Sequence, residues 1–314
     1  MTLPIVDISG LRKRDEATSA EAAAAIHAAY TEHGFLYVTG HGVPEDVIER
    51  AAAAALDFFR QPKEVKETVS AKLTHRGWHA LGDALMYGAE KPDYKEFFQL
   101  GLDLPADDPD VLAGQPLRGA NAWPDGLPEF RRDMETYFDA VAACGQDLLR
   151  GVALSLGIEA NFFTDKYAKP LQRTQAVYYP PQPASLGDDQ FGVAAHTDFG
   201  NITLLWQDDN GGLEVQTLAG DWIAAPPVPG TLVVNVGDLL GRWTNDRYLS
   251  TPHRVVNRSG RERISIATFY DPTYTAVIDP RDLGLPDSME SKYEPTTAGA
   301  HILGRIDASF GYRK

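Results

Sequence analysis

The chain has 314 residues, 43% of them apolar, which is enough to bury a sizeable core and sets disorder aside. Its 44 acidic and 29 basic side chains leave a net charge of −15, which argues against a nucleic acid or an anionic membrane as partner, because phosphate recognition needs clustered Lys and Arg. The lone cysteine, Cys144, rules out an intrachain disulfide, a thiolate zinc site and an iron–sulfur cluster. With no apolar run long enough for a signal peptide or a membrane span, the expectation is a cytoplasmic monomer acting on a small molecule.

In chain order, residues 3–8 read as a short strand and the alanine-rich stretch 19–33 as a helix. Residues 34–39, Gly-Phe-Leu-Tyr-Val-Thr, have the β-branched and aromatic content of a strand, closed by the turn Gly40-His-Gly-Val-Pro44. Pro44 opens a second helix, in which Ile48, Ala51, Ala55 and Phe59 recur at three- and four-residue steps until Pro62. A third helix starts near Pro128. Its apolar stripe runs through Phe130, Met134, Tyr137, Val141, Cys144, Leu148 and Val152 to a stop at Gly157.

From Leu171 the texture changes to short apolar runs at 175–179, 192–197, 202–207, 213–218, 221–224, 231–236, 253–257 and 263–270, separated by Gly, Pro and Asn clusters. About eight short strands at this spacing indicate a jelly roll rather than a βαβ sheet. The tail after Pro295 reads as a helix capped at Thr296 or Thr297. The expected organisation is therefore a helix-rich region over 1–170, a mainly β jelly-roll core over 171–275 and a helical tail over 276–314, packed as one unit.

His196-Thr197-Asp198 carries the most chemical information. At a strand end, residues i and i+2 share a face, so both side chains can converge on one ion while Thr197 points away. His253, at the start of another expected strand, supplies a third ligand. Two imidazoles and one carboxylate make the facial triad of non-haem iron(II), with three coordination positions left open. Taken alone, a His-x-Asp pair is more often a surface hydrogen-bonded pair than a ligand set. His75 and His79 stand at i and i+4, but Arg76-Gly77 between them reads as a loop.

Ten residues after His253 begins Arg263-Ile-Ser-Ile-Ala-Thr-Phe-Tyr270. On a strand, Arg263, Ser265, Ala267 and Phe269 share one face, and Ile264, Ile266 and Tyr270 the other. The apolar set packs on the helical layer, so the first face carries a guanidinium into the barrel. A buried arginine needs an anion: either a bound carboxylate, gripped bidentately with help from Ser265, or a barrel Asp or Glu.

The order His196-Thr-Asp198, His253 and Arg263-x-Ser265 is joined by Tyr178-Tyr-Pro-Pro181, Asn235-Val-Gly-Asp238 and the early Gly34-Phe-Leu-Tyr-Val-Thr-Gly-His-Gly-Val-Pro44. Over nearly the whole chain this pattern resembles the isopenicillin N synthase-like branch of the iron(II)/2-oxoglutarate-dependent dioxygenases. The resemblance implies a double-stranded β-helix, with iron(II) on His196, Asp198 and His253. It also implies 2-oxoglutarate with its distal carboxylate on Arg263 and Ser265, and dioxygen as co-reactant. Tyr179 is the implied third contact, or else a core tyrosine; many plant members carry Asn two residues earlier, where this chain has Val177.

The implied reaction couples decarboxylation of 2-oxoglutarate to succinate with oxidation, most simply hydroxylation, of an unactivated C–H. The implied substrate wall comprises Arg76, Trp78, Tyr87, Phe97, Phe98, Leu204, Trp206, Phe269 and Phe310. Other readings remain open at this point. An oxidase of the same fold closes rings without 2-oxoglutarate, and the Arg-x-Ser pair does not separate the two. A zinc hydrolase could use the same ligands, but no residue stands out as its general base. A non-catalytic jelly-roll binding module would have no use for open coordination positions.

Overall fold

The computed structural model describes every residue except 1, 72–74, 86–89, 183–189, 286–288 and 310–314, and except the side chains of 308 and 309. The amino-terminal elements are β1 (Ile5–Asp7), α1 (Ser9–Lys13), α2 (Glu16–Glu32), β2 (Phe35–Thr39), α3 (Glu45–Phe59) and α4 (Lys63–Glu67). They are followed by β3 (Gly77–His79), β4 (Glu96–Gly101), α5 (Pro109–Leu112) and α6 (Pro128–Ser155). Next come β5 (Arg173–Tyr179), β6 (Val193–His196), β7 (Ile202–Gln207), β8 (Leu213–Gln216), β9 (Trp222–Ala224) and β10 (Leu232–Val236). The last group is α7 (Asp238–Trp243), β11 (His253–Val255), β12 (Arg263–Tyr270), β13 (Val277–Ile278), β14 (Thr296–Thr297) and α8 (Ala298–Ser309).

The helices form where the sequence pattern asks for them. Asp15 caps α2 by accepting the Thr18 amide at 2.9 Å, which starts the helix three residues before the predicted 19. Every member of the predicted α6 stripe is buried. Phe58 of α3 stacks on Phe130 of α6 with centroids 4.7 Å apart, and Phe98 from β4 closes this aromatic knot edge-on. On α8 the Thr297 hydroxyl accepts the Ala300 amide at 3.2 Å, one of the two caps expected from the sequence.

Two sheets form the core, a double-stranded β-helix. The larger runs β1-β2-β10-β7-β12-β5-β4-β3 and the smaller β6-β11-β8-β9. Strands β1 to β4 come from before residue 170, so the amino-terminal region contributes half of the larger sheet as well as helices. α1, α4, α5, α7, β3, β4, β13 and β14 have no counterpart in the predicted elements. All six residues of β4, Glu-Phe-Phe-Gln-Leu-Gly, are buried, so it shows no in–out alternation to read.

The register sorts the two faces of the larger sheet. Across β12 and β5, Arg263 faces Tyr179, Ser265 Val177, Ala267 Gln175 and Phe269 Arg173, and all eight point into the barrel. The opposite face of β12 meets α3 and α6, as its apolar residues require. There Tyr270 presses against Gly145 of α6 so closely that an added Cβ would stand 2.7 Å from its ring.

Candidate metal centre and flanking cavities

β6 ends on His196 and β11 opens on His253, and the two residues are direct cross-strand partners with ring centroids 4.2 Å apart. Asp198 follows β6 by two residues. Its Oδ1 lies 3.6 Å from His196 Nε2 and 3.7 Å from His253 Nε2, and one ligand atom from each residue falls within 4.8 Å of the others.

The surrounding hydrogen bonds leave the correct atoms free for a metal. His196 Nδ1 donates to the Ala194 carbonyl at 2.8 Å and His253 Nδ1 to the Thr251 carbonyl at 3.2 Å, so each Nε2 lone pair faces its partners. Asp198 Oδ2 accepts from Thr203 Oγ1 at 2.6 Å and Asn235 Nδ2 at 2.8 Å, which leaves Oδ1 for coordination. Burial alone would raise the Asp198 pKa, but the two imidazoles and the Asn235 hydrogen bond outweigh it and hold the carboxyl well below the usual range. Burial, then the neighbouring His196, pushes His253 down to about 4, so it offers a neutral imidazole. Two imidazole nitrogens and one carboxylate oxygen on one side of a point fit a non-haem iron(II) ion with open positions opposite.

Two cavities, each of about 80 Å³, flank this point and share Lys95, Gln175, His196, Asp198 and Phe269 as walls. One runs between the sheets to Arg263, Ser265, Tyr179 and Val177. Arg263 is 1% exposed. Its guanidinium donates to the carbonyl of Gly211 at 2.6 Å, to Ser265 Oγ at 3.2 Å and to Gln207 Oε1 at 3.1 Å, and it lies 4.6 Å from the Tyr179 ring. Among the described residues it meets no carboxylate, so the barrel Asp or Glu that would have neutralised it internally is not there. Nor does the Tyr179 hydroxyl, among those residues, form a hydrogen bond.

The other cavity opens toward His75, Gln99, Arg173, Phe199 and Ile306. Gln175 donates to Gln99 at 2.8 Å, and Gln99 in turn to the His75 carbonyl. Lys95 pairs with Asp93 at 3.1 Å. Arg173 donates one Nη to Asp271 Oδ2 at 2.9 Å and lies 5.1 Å from the Phe269 ring, while its Nε is buried with no hydrogen-bond partner among the described residues. Ile306 closes this side from α8, which Arg305 fastens to Asp238 of α7 at 2.6 Å.

Of the residues expected in the substrate wall, Phe269 and Phe97 line this space, and Tyr87 and Phe310 lie outside the described residues. The structure brings none of the other five to either cavity. Phe98 and Leu204 sit one residue out of phase and face the helices, and Trp206 borders a separate cleft beside His41 and Val43. Trp78 donates to Glu96 at 2.6 Å, and Arg76 is held by the oxygens of Leu102, Leu117 and Asn121, with burial pulling its pKa to about 10. Lys95, Gln99, Arg173, Gln175 and Thr203 escaped the sequence reading. The same period of two that exposed Arg263 would have found Arg173, had β5 been started at 173 instead of 175.

Comparison with known proteins agrees with this geometry. Residues 170–272 match the family model of the 2OG-Fe(II) oxygenase superfamily, and residues 3–126 that of the non-haem dioxygenase in morphine synthesis N-terminal region. Homoarginine-6-hydroxylase 2-ODD-C23 of Glycine max is 34% identical, over 98% of this chain and 97% of its own. The 2-oxoglutarate-Fe(II) type oxidoreductase hxnY of Emericella nidulans is 35% identical, over 98% and 90%. A full-length Neurospora crassa protein, solved in complex with alpha-KG and thymine, superposes with a TM-score of 0.85 at 32% identity, over 98% of this chain and 96% of that one.

The chain is thus an enzyme of iron(II)- and 2-oxoglutarate-dependent oxidation, and among its described residues no helix is long and apolar enough to cross a membrane. By triad, by fold and by relatives that cover it from end to end, it belongs to the 2OG-Fe(II) oxygenase superfamily.

Proposed function

We propose that the enzyme hydroxylates an unactivated C–H of a small, compact molecule that presents a carboxylate or carbonyl oxygen and carries no cationic group, and that it works as a cytoplasmic monomer. Arg263, Ser265 and Tyr179 hold the distal carboxylate of 2-oxoglutarate, and the cavity beside Arg173 takes the substrate. The observation that carries this reading is the division of the space: two cavities meet at the triad, and each ends on a buried guanidinium.

Bound iron(II) with 2-oxoglutarate supplies the oxidant, turning the keto acid and dioxygen into succinate and carbon dioxide and leaving one oxygen atom for the substrate. The chain's own residues bind, orient and exclude water. Arg263 offers a charge-assisted grip that the Ser265 hydroxyl can share. Phe269, in both walls, sets an apolar ring beside Lys95, Gln175, His196 and Asp198 at the junction. Lys95, Gln175 and Gln99 present donors and acceptors on the substrate side.

The charge of that wall sets the substrate class. Lys95 and Arg173 line it, whereas the acidic groups nearby are already engaged, Asp93 by Lys95, Asp271 by Arg173 and Asp198 by its hydrogen bonds and the metal site. Among the described residues the wall therefore holds no carboxylate left free to pair with a cationic substrate. Carbonyl-bearing rings such as the thymine held by the Neurospora crassa protein suit the cavity better than the homoarginine named for the Glycine max relative.

Succinate release in the presence of thymine, an aryl-acetic acid and homoarginine tests this. The first two should stimulate release and homoarginine should not; stimulation by homoarginine alone would overturn the substrate class. For the cosubstrate, anaerobic titration of the iron(II)-loaded protein with 2-oxoglutarate should develop the weak visible band of a keto-acid chelate. Arg263→Ala should weaken this binding by roughly 30-fold or more, the scale of removing one partner of a buried charged pair. Unchanged binding in that variant would move the carboxylate site elsewhere.

A further inference from the structure

The loop that delivers the iron carboxylate is held from two sides. On one side the α7 start reaches it: the Asp238 amide donates to the Asp198 carbonyl at 2.7 Å, the Leu239 amide to the Gly200 carbonyl at 2.9 Å and the Gly237 amide to the Asn201 carbonyl at 2.9 Å. On the other side stands Asp271, just past the end of β12 and fully buried. Its Oδ1 accepts the Asn201 amide at 2.7 Å, and a Cβ added at Gly200 would stand 1.8 Å from that same oxygen. Only glycine lets the backbone lie this close to the carboxylate.

The second oxygen of Asp271 does something different. It accepts from Arg173, whose guanidinium lines the substrate cavity against Phe269. One buried carboxylate therefore joins a cation in the substrate wall to the backbone three residues beyond an iron ligand, and neither end touches the iron itself.

We propose that Asp271 is a positioning residue that couples Arg173 to the Asp198 loop, so that a substrate oxygen drawing on Arg173 is felt at the iron carboxylate. A guanidinium divided between Asp271 and a substrate oxygen pulls less on Asp271, and the hold of Asp271 on the Asn201 amide loosens with it. Without Arg173, Asp271 is a buried carboxylate lacking its cation and does not keep its place. The coupling runs through contiguous atoms, Arg173 Nη2 to Asp271 Oδ2 and Asp271 Oδ1 to Asn201 N, and so reaches the loop 198–201. That the ligand arriving at Arg173 is the substrate rests on the assignment of the cavities above; the link from Arg173 to the loop does not.

The test needs no substrate. In the iron(II)- and 2-oxoglutarate-loaded protein under argon, hydrogen exchange of the peptide spanning 197–203 is compared among wild type, Arg173→Ala, Arg173→Lys, Asp271→Asn and the Arg173→Ala/Asp271→Asn double variant. Iron(II) affinity is measured alongside. Exchange of that peptide should rise roughly tenfold in Arg173→Ala and Asp271→Asn while the helices keep their protection, and iron(II) affinity should fall about tenfold. Arg173→Lys should restore much of both, and the double variant should do no more than Asp271→Asn, because the two residues act through one path.

Wild-type exchange and iron affinity in Arg173→Ala would sink the proposal, as would additive effects in the double variant or faster exchange throughout the molecule, which marks a packing role alone. Should Asp271→Asn fail to fold, the contrast of Arg173→Ala with Arg173→Lys decides the matter by itself. A failed substrate panel with a disturbed 197–203 peptide would overturn the substrate class and leave the coupling standing.

Discussion

Asp198 divides its two oxygens between protein and metal, and that division makes Thr203 and Asn235 part of the iron site although neither is a ligand. Both are buried, both donate to Oδ2, and they face each other across β7 and β10. Removing either donor frees the carboxylate to rotate and leaves part of its charge unsatisfied. Thr203→Val, close to isosteric, should lower iron(II) affinity by about 10- to 100-fold, with Asn235→Ala at least as damaging. Equilibrium titration of the apoprotein with iron(II) measures both; wild-type affinity in both variants would show that the carboxylate is oriented by something else. Asn235 stood in a recognised motif, Asn235-Val-Gly-Asp238, yet its task became visible only when strand pairing placed it opposite Thr203.

At the level of elements, the period of two decides which face of a strand serves the site and which serves stability. Phe97 and Phe98 are neighbours in sequence and opposite in fate: Phe97 lines the substrate cavity, and Phe98 is sealed among Phe58, Phe130 and Trp123. Phe98→Ala should therefore cost about 3–5 kcal/mol of unfolding free energy and leave the 2-oxoglutarate affinity of the folded protein unchanged. Urea denaturation and the anaerobic titration check the two halves separately, and lost cosubstrate binding with intact stability would reverse the assignment.

The carboxyl-terminal jelly roll, its strand order of appearance and the iron triad could be read from residues, because turn clusters punctuate short β-branched runs there. β4 could not, being buried on both faces. Substrate-wall residues from Arg76 to Trp206 were chosen by residue type without register, and a shift of one residue along a strand moves a side chain to the other face. Arg173 was missed because the strand was begun two residues late.

For the whole molecule, charge and site pull in opposite directions. The net charge of −15 surrounds an interior that holds Arg263, which meets no carboxylate among the described residues, beside Arg173 and Lys95, each already paired with one. A dianionic cosubstrate is repelled at long range and gripped at short range. Raising ionic strength from about 10 mM to about 150 mM shrinks the screening length from roughly 30 Å to roughly 8 Å, which relieves the outer repulsion and leaves the buried contacts nearly intact. The apparent KM for 2-oxoglutarate should then fall modestly, by about twofold. A steep rise in KM across that range would mean that exposed cations govern capture.

The wall shared by the two cavities also limits how this enzyme can diversify. Lys95, Gln175 and Phe269 face both spaces, so a change at any of them alters cosubstrate affinity and substrate choice together and is open to selection against on two counts. His75, Gln99, Phe199 and Ile306 touch the substrate side alone. New specificities should therefore accumulate at those four positions while the partition stays constant, and a library built on them should retain 2-oxoglutarate binding in most of its folded members, whereas one built on the partition should not.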